Sequence, residues 1–312
     1  MNAYDITGAR IADDYAARMT GGAYSYQGEA LDVTRHSYDE LPGITYGAHD
    51  KSSYTYRQDA AVSGGVLFQA ITGSNELEDM MATYDHATGE FIATFSCPIA
   101  HGSAMDFSDE KYADSDEFPL LYCTVESPTI LVRVLRVTRT SGTLVRTLKL
   151  VDEDLVRNIV VSVDRENHRM ITSWNKGGHY GDISIGICHV ITVWDLDSLT
   201  PTGNTDEYKP KMLDQFEVPF IFCQQGCCYL NGIMYILSSG DATWRQQYSG
   251  HTAWIYCLDP NARRFVAVLK DFTTATAEAE NEAIVPRFNA ESGRYDLEMI
   301  PLRGSSAVVR VW

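Results

Sequence analysis

The chain states one stretch twice. Gln58-Asp59-Ala60-Ala61-Val62-Ser63-Gly64-Gly65-Val66-Leu67-Phe68-Gln69 returns 167 residues later, without a gap, as Gln225-Gly226-Cys227-Cys228-Tyr229-Leu230-Asn231-Gly232-Ile233-Met234-Tyr235-Ile236. Gln58 falls under Gln225, Gly65 under Gly232, Leu67 under Met234 and Phe68 under Tyr235. Each copy reads as a strand, a Gly turn and a second strand, which is a β-hairpin signature. A second pair follows. Tyr84-Asp85-His86-Ala87-Thr88-Gly89-Glu90-Phe91-Ile92-Ala93 matches Leu258-Asp259-Pro260-Asn261-Ala262-Arg263-Arg264-Phe265-Val266-Ala267 at an offset of 174, so the later copy carries a short insertion. Each unit is then two hairpins, four strands in all, which is one blade of a β-propeller.

The two copies sit three blades apart, which gives about 56 residues per blade. The chain from Gln58 to Trp312 holds between four and five such units, and the last is short. The expectation is an all-β, five-bladed β-propeller, with six blades as the alternative. The blades are expected over about 58–97, 101–150, 155–217, 225–271 and 282–312. Ala30-Leu31-Asp32-Val33-Thr34-Arg35 alternates like a strand, and so does Ala307-Val308-Val309-Arg310-Val311-Trp312. The ring is expected to close by pairing the N-terminal strand with the C-terminal blade, because an open ring leaves an exposed sheet edge. Residues 1–28 read as an arm, and 29–312 as a single domain. Helix signals are confined to Ser74–Met81 and Thr274–Ala283.

Composition narrows the function classes. The net charge is -17, and non-specific nucleic-acid binding requires a basic surface. The same charge disfavours an anionic membrane surface. No apolar run has signal-peptide or membrane-spanning character. Synthesis in the cytoplasm is expected, with virion assembly as one route out of it. Seven cysteines are present, an odd number, mostly inside apolar strand-like runs. They read as buried free thiols and not as a disulfide framework. Cys227 and Cys228 are adjacent, so a strand directs them to opposite faces and they cannot share a metal.

The pattern Gln225-Gly226, Gly232 with Tyr235, Asp85 with Gly89, and His101-Gly102 resembles the propeller of phage receptor-binding proteins and wall-teichoic-acid-associated proteins, and tail-fibre proteins of gut bacteriophages. Tyr4-Asp5-Ile6-Thr7-Gly8 resembles the arms that precede such domains. The resemblance covers roughly residues 55–312. It departs at Asp59, where the pattern has Gly, and it brings neither a lectin signature nor an enzyme signature. It implies a binding role at a cell surface, with carbohydrate and virion proteins as partners.

In a propeller the innermost strand of each blade lines the axis, so polar residues at blade starts converge on one mouth. Gln58, His101, Gln225 and the run Glu278-Ala279-Glu280-Asn281-Glu282 occupy those starts. They either bind a ligand or satisfy backbone groups at blade junctions. The structural reading is the stronger for Gln58 and Gln225, and both stay open for His101 and Glu280. Aromatic residues of inter-strand loops, Trp244 and Tyr248 above all, offer faces on which sugar rings stack. His179, in a Gly-rich loop, can reach over the mouth or sit idle on the surface. If the chain is an enzyme, Asp106 with Glu278, Glu280 or Glu282 supplies the paired carboxylates and His101 the acid or base. The acidic stretch Asp106–Glu117 offers oxygens for calcium but lacks the spacing of a calcium loop, and reads as a solvated loop. No cofactor and no metal site are expected otherwise.

Overall fold

In a computed structural model the described residues are 23–26, 29–32, 38–50, 56–72, 80–99, 102, 104–125, 131–150, 157–176, 188–218, 221, 224–239, 254–269, 281–301 and 305–311. All regular structure among them is β, and the arrangement is propeller-like. One four-stranded antiparallel sheet is β4 (Tyr56–Ser63), β5 (Val66–Thr72), β6 (Met80–Asp85) and β7 (Phe91–Ser96). A second is β16 (Gln224–Leu230), β17 (Ile233–Ser238), β18 (Trp254–Asp259) and β19 (Arg264–Leu269). A third is β20 (Asn281–Asn289), β21 (Arg294–Pro301), β22 (Ala307–Val311) and β3 (Tyr38–Pro42).

The remaining large sheet has eight strands in two meanders. One is β8 (Met105–Phe107), β9 (Leu121–Thr124), β10 (Leu131–Thr138) and β11 (Ser141–Lys149); the other is β12 (Arg157–Asp164), β13 (Arg169–Lys176), β14 (Cys188–Pro201) and β15 (Glu207–Val218). They join only where β11 and β15 run parallel, at Thr147 beside Glu207 and Leu148 beside Tyr208. A separate hairpin pairs β1 (Ala23–Tyr26) with β2 (Glu29–Asp32).

The first strands of the meanders form a closed circuit. β4 touches β8, β8 touches β12, β12 touches β16, β16 touches β20, and β20 returns to β4. Sheet faces are buried between circuit neighbours. Phe68 of β5 meets Phe107 and Phe118, with ring centroids 5.2 and 5.0 Å away. Cys228, Ile255 and Leu269 pack with Ile284, Leu297 and Val309 across the next seam but one. Burial on both faces explains why β5 is buried throughout and mostly apolar, with no inside–outside alternation.

The repeated hairpins are formed. Gly65 and Gly232 both take the left-handed conformation, with φ of 75° and 83°, as two-residue hairpin turns require. The second repeat is a side-chain-capped turn. Asp85 Oδ1 accepts the N–H groups of Ala87 and Thr88 at 3.0 and 2.8 Å, and Asp259 Oδ1 those of Asn261 and Ala262 at 2.9 Å each. The fifth residue of each turn is left-handed, Gly89 in one and Arg263 in the other.

The C-terminal strand β22 pairs antiparallel with an N-terminal strand, as ring closure demands. That strand is Tyr38–Pro42 and not the segment 30–35, whose described part, Glu29–Asp32, belongs to the separate hairpin. The seam continues past the strand, where Gly43 N–H donates to Ser306 O and Ser306 N–H to Ile44 O, each at 3.0 Å. The two helix signals are overturned where they are described: Met80 and Met81 begin β6, and Asn281–Ala283 begin β20. Six cysteines, at 97, 123, 188, 227, 228 and 257, are buried free thiols, and Cys223 lies outside the described residues. Cys227 and Cys228 face different core clusters, as adjacent strand residues must. Among the described residues no helix is long and apolar enough to cross a membrane.

Candidate ligand-binding mouth

Two carboxyls stitch the inner circuit. Asp59 of β4 accepts the Met105 N–H of β8 on Oδ2 at 2.6 Å. Asp106 of β8 accepts the Val163 N–H of β12 on Oδ2 at 2.9 Å. Each of these two inner strands thus hands a carboxyl to the backbone of the next. Asp59 is 1% exposed, and its Oδ1 has no hydrogen-bond partner. Burial pushes its pKa well above the carboxylate range and the charge of Asp106 adds to this, while the N–H groups of Ala60 and Met105 oppose it. Burial also raises Asp106, against the pull of the Arg165 guanidinium.

Beyond these carboxyls, a cavity of about 410 Å³ opens where the inner strands end. Hairpin turns from distant parts of the sequence line it. Ser63-Gly64-Gly65 follows β4, Asp164-Arg165-Glu166 follows β12, and Leu230-Asn231-Gly232 joins β16 to β17. The wall is completed by His86 and by Pro286, Phe288 and Tyr295 of β20 and β21.

Arg165 is held at the floor of this mouth. Its Nε donates to Phe107 O at 2.8 Å and its Nη2 to Asp106 Oδ1 at 3.1 Å, and the side chain is still 45% exposed. Asp164 accepts from Arg169 and from Asn167 Nδ2, and also from Tyr229 OH at 3.3 Å. Burial works to raise the pKa of Asp164, but these bonds outweigh it and keep it below the usual range. Burial, followed by the Asp164 charge, pushes the Tyr229 phenol up to about 12, so it stays a donor. His86 Nε2 lies 2.9 Å from Glu298 Oε2. Glu298 is fully buried and also takes Arg287 Nη1 at 2.9 Å, Tyr46 OH at 3.0 Å and the Ser306 hydroxyl.

Over these polar groups stand two aromatic rings with no core to fill. Phe288 is 57% exposed and Tyr295 50%. They contact edge to face, with centroids 5.4 Å apart and planes at 64°. Their paired register at the end of the β20–β21 hairpin holds them on one face.

The residues singled out from the sequence distribute differently. Gln58 is buried and its carbonyl accepts from Gln69 Nε2, while Gln225 is half-buried. The amide that ties one sheet to the next is its neighbour Gln224, which accepts the Ser173 hydroxyl at 2.5 Å and donates to Ser173 O at 3.2 Å. Asp106 and Glu282 are both buried, and Asp106 is the stitch described above. His101, His179, Trp244, Tyr248, Glu278 and Glu280 lie outside the described residues.

The acidic stretch is not a bare cluster of oxygens. Asp116 takes a forked bond from Arg136, Glu117 pairs with Arg139 at 2.6 Å, and Glu110 pairs with Arg146. Among the described residues no group of three or more His, Cys, Asp and Glu side chains is arranged to hold a metal.

Sequence reasoning missed one turn that lines the mouth and one that joins Phe288 to Tyr295. Asp164–His168 and Asn289–Gly293 repeat the capped turn of Asp85–Gly89. Asn289 Oδ1 accepts from Glu291 N–H and Ser292 N–H at 3.0 and 3.2 Å, and His168 and Gly293 are left-handed. The shared spacing, Asp or Asn four residues before a left-handed position, was the available signal.

No protein-family model and no curated protein matches the chain. Solved structures do share its fold. Glutaminyl cyclase of Myxococcus xanthus matches with a TM-score of 0.51 at 13% identity, covering 89% of this chain and 98% of that one. The tail fiber of Staphylococcus aureus phage P68 matches with a TM-score of 0.52 at 10% identity, over 88% of this chain. The chain spans 52% of the tail-fiber chain's length. At these identities the likeness is one of fold, and that fold serves an enzyme in one case and a phage tail in the other.

Proposed function

We propose that the chain is a non-catalytic binding module that recognises cell-surface carbohydrate as part of a phage or prophage tail or a similar surface assembly. Its scaffold is a five-bladed propeller: the eight-stranded sheet counts as two blades, since its halves meet at two residue pairs only. Its described strands run from Tyr38 to Val311, and the hairpin of Ala23–Tyr26 with Glu29–Asp32 is a sheet of its own. The resemblance to receptor-binding and wall-teichoic-acid-associated propellers is in keeping with that role, as is the fold shared with the phage P68 tail fiber.

One observation carries the reading. The Phe288–Tyr295 pair stands half exposed above a cavity whose other walls mix polar side chains with Val62, Val163, Leu230 and Pro286. Large exposed apolar groups beside fixed donors and acceptors suit a ligand with flat apolar faces and hydroxyl edges, which describes a sugar ring. Arg165, Asn231 and Tyr229 supply the polar partners.

The second reading is a glycan hydrolase or lyase working through channel carboxylates and His101. The raised pKa values of Asp59 and Asp106 favour it. Against it, both carboxyls accept backbone N–H groups of the next strand and are sealed from solvent.

A glycan array followed by product analysis separates the readings. Binding without release of reducing ends is expected. Phe288→Ala should weaken binding at least tenfold with an unchanged melting temperature, and Trp244→Ala, in the segment between β17 and β18, tests whether the ligand is taken there instead. Turnover would overturn the binding reading, and failure of every glycan to bind would overturn carbohydrate recognition altogether.

A further inference from the structure

A second cavity, of about 340 Å³, lies on the other face of the β20–β21–β22–β3 sheet. Arg287, Asp296, Val308, Arg310 and Leu41 lie on that face, as their pairing requires. Phe288 lines this cavity and the mouth alike. It is the residue that the two linings share, and it is 57% exposed.

The chemistry of the second cavity continues that of the first. Asp296 accepts Asn289 Nδ2 at 2.9 Å and lies 3.6 Å from Arg310 Nε. Arg287, one position before Phe288, holds Glu298 at 2.9 Å. The guanidinium groups are each matched by a carboxylate, so the lining is rich in fixed donors and acceptors and close to neutral. Such a surface suits hydroxyl and amide groups better than a free phosphate or a carboxylate. Ligand pockets of roughly 300–1,000 Å³ are usual, and each cavity alone lies at the small end of that range.

Resting on the carbohydrate reading above, we propose that the site is an extended one: it takes a linear, uncharged oligosaccharide that lies over Phe288, with one end in the axial mouth and the other in the cavity beside Arg310. Phe288 and Tyr295 stack a middle sugar, and the paired charges of the second cavity hold the hydroxyls of the next. Specificity is then for chain length as well as for sugar type.

The test uses the full chain and homologous series of uncharged oligosaccharides, from mono- to hexasaccharide, on an array, with titration of each series that binds. Affinity is expected to rise at least tenfold between the monosaccharide and the tri- or tetrasaccharide. Glu291 is an exposed turn residue that lines the second cavity and not the mouth. Glu291→Trp, which fills that cavity, should abolish the gain from length and leave binding of the short sugar intact. Arg310→Gln should reduce the same gain, with melting temperature as the control for folding. Equal affinity for short and long members, or an unaltered length dependence in Glu291→Trp, overturns the extended site while leaving carbohydrate recognition standing. Failure of all series to bind overturns both.

Discussion

Asp59 and Gly226 occupy the same place in the two copies of the repeat, and in the fold they meet. A Cβ on Gly226 would lie well inside contact distance of Asp59 Oδ1 and 2.8 Å from Glu282 O. The carboxyl of one copy therefore fills the space that the other copy leaves empty. β4 and β16 are not neighbours in the circuit, yet they touch here, which puts the contact on the axis. Gly226→Ala must displace backbone or the buried carboxyl. It is expected to lower stability by about 1–3 kcal/mol, the usual cost of overpacking. Chemical denaturation measures it, and a neutral outcome would mean that the inner circuit relaxes freely.

Asp59 also sets a pH dependence. In the unfolded chain it ionises near its ordinary value of 3.8; in the fold it keeps its proton to well above that. Between those values the folded state binds the additional proton, so this contribution is complete below pH 3.8 and is lost as pH rises through the folded pKa. Asn carries no such titration. The unfolding free energy of Asp59→Asn relative to wild type should rise from pH 4 to pH 8, with a slope of at most about 1.4 kcal/mol per pH unit. Parallel curves for the two proteins would contradict a protonated Asp59.

Glu298 fastens the closing seam. It draws Tyr46 from beside the N-terminal strand, His86 from the β4–β7 sheet, and Arg287 and Ser306 from the last sheet. Burial works to raise its pKa, but the bonds from His86 and Ser306 and the charges of His86 and Arg287 hold it below the usual range. Glu298→Gln removes the fully buried carboxylate that Arg287, itself half-buried, is paired with. Loss of one partner of a buried pair costs about 3–5 kcal/mol, and a drop of that size is expected in equilibrium unfolding. A change under about 1 kcal/mol, the scale of surface pairs, would show the seam to be wet.

Calcium should leave the protein unchanged. The carboxylates of the acidic stretch are matched by Arg136, Arg139 and Arg146, which a bound ion would have to displace. Millimolar calcium or a chelator is expected to shift the melting temperature by less than a degree. A clear rise with calcium would place an ion among those oxygens.

The repeat was legible because a two-residue turn needs left-handed residues, and Gly65 and Gly232 mark it in both copies. Strand positions followed from there, since hairpins fix register locally. The closing strand was displaced from Ala30–Arg35 to Tyr38–Pro42, because alternation alone does not say which of two neighbouring runs reaches the far edge. The mouth was the hardest part to read. Phe288 and Tyr295 look like ordinary strand residues, and only the register of β20 on β21 leaves them outside the core. Asp59 appeared as a departure from the repeat; its meaning depends on Gly226, which lies across the axis and far along the chain. His168 takes a left-handed conformation without being Gly, which hid the turn Asp164–His168.

The central claim is that turns far apart in sequence form one binding mouth. Hydrogen-exchange mass spectrometry, with and without a glycan selected on the array, tests it most directly. Protection is expected to appear together on segments 62–65, 163–166, 229–232 and 286–295. Protection confined to a single one of these segments, or falling only on residues 240–253, would contradict it.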